Sequence, residues 1–135
     1  MGKENPSDQK ASGIQKRSIK DISSEPTRNG ALKKVLIRHE EVHSDLMFLN
    51  EVYVSLGERI ESHIHLDMEE VFYFLDGEGI MQIEEEVYAV MPGDRVIVPI
   101  KTAHVLENTG PIQMRFICFG VKVFPRGSKG GVLHP

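Results

Sequence analysis

A chain of 135 residues, 40% of them hydrophobic and 27% charged, has the composition of one globular domain large enough to enclose a core. Its formal net charge of −4 gives no electrostatic reason to expect nucleic acid or an anionic membrane as a partner. The single cysteine, Cys118, excludes an intrachain disulfide and suits a reducing compartment.

Residues 1 to about 30 are rich in Ser, Lys, Asp, Asn and Gly and read as a polar tail, flexible alone or docked on a partner. The opening stretch MGKENPSDQKASGIQKRSIKD has no apolar core, so neither a signal peptide nor a membrane anchor is expected. Pro6 also stands where a myristoylation signal wants Ser or Thr. No apolar run approaches bilayer-spanning length, and a soluble cytoplasmic protein is expected. Residues 31–124 carry the folded domain, and 125–135, with its GSKGG stretch, reads as a second tail.

Within the domain, short runs rich in branched and aromatic residues follow one another. KKVLIRH (33–39) and LMFLNEVYVSL (46–56) come first, then SHIH, EVFYFLD, GIMQIE, VYAV, RVIV, AHVLEN and IQMRFICFGV. Asp76-Gly77 signals a hairpin and Pro92-Gly93 a type II turn, while Asn108-Thr109-Gly110-Pro111 marks a further break. Strands at near-regular spacing with no convincing helix predict an all-β sandwich or barrel. In EVFYFLD both alternating sets are apolar: Val71, Tyr73 and Leu75 on one face, Phe72 and Phe74 on the other. Both faces are therefore expected to be covered, the outer one by a second sheet, a tail or another subunit, which predicts a homodimer.

Chemistry concentrates in GERIESHIHLDMEEVFYFLDGEG, residues 57–79. On a strand, His63 and His65 project to one face and can share a ligand. Alone, a His-x-His pair is weak evidence for a metal. A second stretch, GDRVIVPIKTAHVLEN, adds His104. Together, Gly57-x5-His63-x-His65-x4-Glu70-x6-Gly77 and Gly93-x5-Pro99-x4-His104-x3-Asn108 resemble the two signature motifs of the cupin superfamily. The first motif matches at every specified position. In the second, the glycine often found two residues after the proline is Lys101 here. The resemblance spans about 52 residues, 57–108.

The resemblance implies a single small jelly-roll, cupin-like β-barrel with a metal in its mouth, held by His63, His65, Glu70 and His104. Three imidazoles and one carboxylate suit a divalent transition metal such as Mn, Fe, Ni, Co or Zn, with positions left open for substrate or dioxygen. The six residues that separate Glu70 from Gly77, as in the family motif, select Glu70 over Glu69 as the ligand and put it on the face of Phe72 and Phe74. The other histidines, His39, His43 and His134, read as surface residues, and Cys118 as a buried inert thiol. Phe72, Phe74, Met81, Ile83, Met114 and Phe116 either line the cavity or fill the core. Glu61, Tyr53, Tyr73 and Lys101 are candidates for an acid, base or substrate hook, each more readily explained by a structural or solvent-exposed role.

These expectations converge on a metal-dependent enzyme acting on a small organic molecule, with oxygenase or dioxygenase chemistry ahead. A Lewis-acid isomerase, cyclase or lyase is the close alternative. A non-catalytic binder of a small ligand or metal is the third.

Overall fold

The computed structural model of the chain describes residues 13–28, 30–61 and 64–124. Among them are ten strands: β1 (Ser24–Pro26), β2 (Leu32–Arg38), β3 (Leu46–Val54), β4 (Arg59–Glu61), β5 (Met68–Asp76), β6 (Gly79–Ile83), β7 (Glu86–Val90), β8 (Arg95–Val98), β9 (His104–Asn108) and β10 (Met114–Lys122). Two short 3-10 turns, Ile19–Asp21 and His39–Glu41, complete the regular structure there. No helix among the described residues is long and apolar enough to cross a membrane.

All pairings are antiparallel and form two sheets. One has the order β1-β2-β3-β10-β5-β8 and the other β4-β9-β6-β7. The other strand-like runs lie on strands, and of SHIH the described Ile64 and His65 lie outside any strand, but the single closed barrel expected from the sequence is not what forms. The two sheets are not closed into one barrel. Their inner faces instead share a core of Val52, Val54, Phe72, Phe74, Met81, Leu106, Met114 and Phe116. Burying each large side chain contributes about 1.5–3 kcal/mol. The end strands β1, β4 and β8 have three or four residues, too short to carry hydrogen bonding around both edges.

β1 lies within the stretch that composition groups with the N-terminal tail. It pairs with β2, placing Glu25 opposite Lys33, and Ile22 just before it is buried. Residues 1–12 and 125–135 lie outside the described residues.

The turns separate one wrong expectation from one that holds. Asp76-Gly77 is a corner rather than a hairpin, because β5 pairs with β10 and β8 while β6 pairs with β7 and β9. Gly77 has a φ of 79°, and an added Cβ would come within 2.8 Å of the Gln113 carbonyl. The β6–β7 hairpin turns at Glu84-Glu85 instead, with Glu84 at φ 53°. Pro92-Gly93 makes the expected turn: Asp94 N–H donates to the Met91 carbonyl at 3.0 Å, and Gly93 has a φ of 93°.

Lys101, standing where the family pattern often has glycine, also takes the left-handed conformation, with a φ of 61°. Its N–H donates to the His65 carbonyl at 2.6 Å, so the turn secures a candidate ligand. A side chain in that conformation costs about 1 kcal/mol. Lys101→Gly is expected to raise stability by no more than about 0.5 kcal/mol in urea unfolding, because the added unfolded-chain entropy of glycine, about 0.4–1 kcal/mol, offsets most of the relief.

Candidate metal centre

Alternation along β5 sets the first side chain. Glu70, Phe72 and Phe74 are 8%, 5% and 0% exposed, whereas Tyr73 is 45% exposed, so Glu70 faces in with the two phenylalanines. Glu69, on the opposite face, is half-buried. His104 opens β9, is 3% exposed, and lies opposite Ile83 in the register. The Phe72 ring meets its imidazole edge-on at 5.5 Å between centroids. His65 lies past the end of β4, outside any strand. His63 lies outside the described residues.

Three of the four expected ligands are thus placed, and they converge. Nε2 of His65 is 3.5 Å and Nε2 of His104 is 3.6 Å from the same Glu70 oxygen, Oε1. These separations exceed good hydrogen bonds. Glu70 Oε1 and His104 Nε2 are both buried without a hydrogen-bond partner. Among the described residues, no group of three or more His, Cys, Asp or Glu stands ready by itself to hold an ion.

Burial raises the Glu70 carboxyl above its ordinary range, opposed by His65 and by the Cys118 thiol. That thiol donates to Glu70 Oε2 at 3.5 Å. Burial pushes His104 down to about 4, opposed by the Thr102 backbone and reinforced by the charge of His65. His104 is therefore neutral at physiological pH, the form in which imidazole ligates. Orphaned acceptors of this kind destabilise the fold unless something satisfies them. A cation held by imidazole and carboxylate donors fits that need.

A pocket of about 240 Å³ adjoins these groups, with His65, Glu70 and Cys118 in its wall. Phe72, Phe116, Phe48, Val52 and Ile60 make most of the lining apolar. Gly120 lies opposite both Glu70 and Phe48, and a Cβ there would come within 2.5 Å of the Phe48 ring. The large side chains of the inner face therefore divide: Phe72 and Phe116 reach the pocket wall, while Phe74, Met81 and Met114 lie outside that wall and fill the core.

The remaining candidates fall elsewhere. His39 and His43 are exposed, and His39 Nδ1 lies 2.8 Å from the Leu46 carbonyl. His134 lies outside the described residues. Glu61 is exposed at the pocket wall, 3.7 Å from Arg59. Tyr73 is on the outer face.

Tyr53 is also on that face, its hydroxyl donating to Glu51, which Arg115 approaches at 3.5 Å. Burial, the Glu51 hydrogen bond and the Glu51 charge raise Tyr53 to about 12, against the pull of Arg115. Its folded-state value lies above that of the unfolded chain. Its contribution to stability is thus intact below pH 10 and is lost as pH rises from 10 towards 12. Ultraviolet titration is expected to show a late-ionising phenol that Tyr53→Phe removes.

Sequence reasoning missed four polar side chains of the pocket: Thr27, Arg28, Lys33 and Asn50. Lys33 lies opposite Val52, which faces the core, so it is an inward-pointing lysine. A signal existed in the alternation of Ala31, Lys33 and Val35, but the register shift between Val35 and Ile37 breaks the phase of that strand.

The cupin-domain family model matches residues 50–120. The chain belongs to the cupin family. This cupin is 31% identical over 93 residues to an uncharacterized protein of Methanocaldococcus jannaschii, covering 68% of this chain and 74% of that one. It is 25% identical over 114 residues to the polyketide synthase CurC of Streptomyces cyaneus, covering 84% and 73%. Among solved structures, a predicted oxalate decarboxylase of Thermotoga maritima superposes with a TM-score of 0.76 at 20% identity, covering 81% of this cupin and all of that chain. The polyketide cyclase RemF of Streptomyces resistomycificus superposes with a TM-score of 0.66 at 21% identity, covering 87% and 89%.

Proposed function

We propose that this cupin binds one divalent transition metal (Mn, Fe, Ni, Co or Zn) through His63, His65, Glu70 and His104. On this reading it is an enzyme acting on a small organic molecule in the adjoining pocket. The observation that carries the reading is the pair of buried, unpartnered polar atoms, Glu70 Oε1 and His104 Nε2, with His65 Nε2 3.5 Å from the same oxygen. A bound transition metal supplies Lewis acidity and, where redox-active, electrons for dioxygen. The protein's own groups do the rest: the apolar wall excludes water, Cys118 holds one Glu70 oxygen, and the Lys101 turn holds the His65 backbone.

Oxygenase chemistry is the first reading, supported by the mostly apolar pocket wall beside the candidate ligands. Lewis-acid cyclase or lyase chemistry is the second, favoured by the names of two proteins of like fold, a predicted oxalate decarboxylase and a polyketide cyclase. Turnover in air and under argon separates them. Loss of product without oxygen supports the first, and unchanged turnover overturns it. We also propose a cytoplasmic homodimer paired through the outer sheet face, where Tyr73 and Ile97 remain 45% and 47% exposed. Sedimentation at two protein concentrations tests the pairing.

A further inference from the structure

We propose that Lys33, Asn50 and Thr27 form the recognition side of the pocket, and that the substrate is a small organic anion with a hydroxyl or enol oxygen beside its charge. The inference rests on the reading of this pocket as the substrate site. Asn50 is 8% exposed on the inner face of β3, and its Oδ1 is buried with no hydrogen-bond partner. Thr27 Oγ1 is likewise buried and unpartnered. Both side chains line the pocket that Glu70 and His65 line. Two unsatisfied polar atoms in one largely apolar cavity are expensive to keep without a ligand that completes them.

Lys33 adds the charge. It is half-buried, points inward from β2, and has no ion-pair partner among the described residues. Arg28 lies at the exposed edge of the same pocket. The carboxylate of Glu61, also at that edge, is offset by Arg59 at 3.7 Å. An ammonium group in an apolar wall selects an anionic oxygen, and the Asn50 and Thr27 oxygens accept from a hydroxyl beside it. About 240 Å³ is below the 300–1,000 Å³ typical of sites for drug-sized ligands, so the apolar body has about the size of one ring. Thr27 and Lys33 lie outside residues 50–120, the part matched by the family model, so these two members of the recognition side come from the β1–β2 segment, while Asn50 comes from β3.

The experiment is calorimetric titration of the full-length protein with 2-hydroxybenzoate and, as the neutral comparison, 2-hydroxybenzamide, with bound metal measured on every sample. Lys33→Met keeps the packed stem and removes the charge. It is expected to weaken 2-hydroxybenzoate binding at least tenfold and leave 2-hydroxybenzamide within twofold. Melting temperature and metal content should be unchanged, and Lys33→Arg should restore most of the loss. Equal binding of the anion by wild type and Lys33→Met overturns the inference and leaves the metal reading intact. Absence of binding by wild type also overturns it, as does a Lys33→Met protein that loses metal together with both ligands. A tenfold loss in Lys33→Met alongside metal-poor wild-type protein supports the inference while removing the metal reading.

Discussion

His104→Ala should lower metal affinity at least a hundredfold and bring any metal-dependent turnover to background. The side chain is 3% exposed, its Nε2 has no protein hydrogen bond, and it faces Glu70 Oε1 at 3.6 Å. Losing one imidazole ligand from four costs about 3 kcal/mol of binding, which is the hundredfold change. Folding should survive, because alanine also removes a buried polar group with nothing to bond. Equilibrium dialysis against a competing chelator measures the affinity, with His39→Ala as the control. His39 is exposed in the turn before β3 and should retain metal like wild type. A His104→Ala protein with wild-type affinity would remove His104 from the centre.

Asn108→Ala is expected to damage the fold severely for a change at a polar residue. Asn108 is 2% exposed, and its Nδ2 donates to the Val54 and Ile112 carbonyls, each at 2.9 Å. Its Oδ1 accepts from Gly110 N–H at 3.0 Å. One amide thus ties the end of β9 in the smaller sheet to the end of β3 in the larger. Alanine would leave two carbonyls and one N–H to find other partners, at about 1 kcal/mol or more each. A loss of about 3 kcal/mol, or about 10 °C in melting temperature, follows for a domain of this size. Thr109→Ala, exposed beside it, should change stability by less than about 0.5 kcal/mol. The centre suffers too, since β9 carries His104 at its other end. Metal retention in Asn108→Ala should fall in step with folded population rather than ahead of it.

The strands were legible because branched and aromatic runs such as EVFYFLD and RFICFGV are separated by turn residues. The choice of Glu70 over Glu69 followed from spacing to Gly77, and burial along β5 puts Glu70 inward. Gly57, Gly77 and Gly93, three fixed points of the motifs, all adopt positive φ, so the motif spacing records where the backbone must turn. What the sequence hid was which strands pair. Asp76-Gly77 looks the same whether the next strand returns in the same sheet or crosses to the other, because both need a tight turn. SHIH reads as strand by residue type, yet His65 lies outside any strand, its carbonyl taken by the N–H of Lys101, a long-range contact. Asn108 reads as a turn former, and only the packing makes it the joint between sheets. Lys33 was lost for a related reason: a lysine on a strand reads as solvent-facing until its partner, Val52, is known to be core.

The most direct test of the metal centre is elemental analysis of the wild-type protein, purified without chelator or added metal and then dialysed. The prediction is close to one first-row transition metal per folded chain, released on acidification as the imidazole ligands protonate. Folded protein with less than about a tenth of an equivalent, and no uptake when Mn, Fe, Ni, Co or Zn is offered, would contradict it.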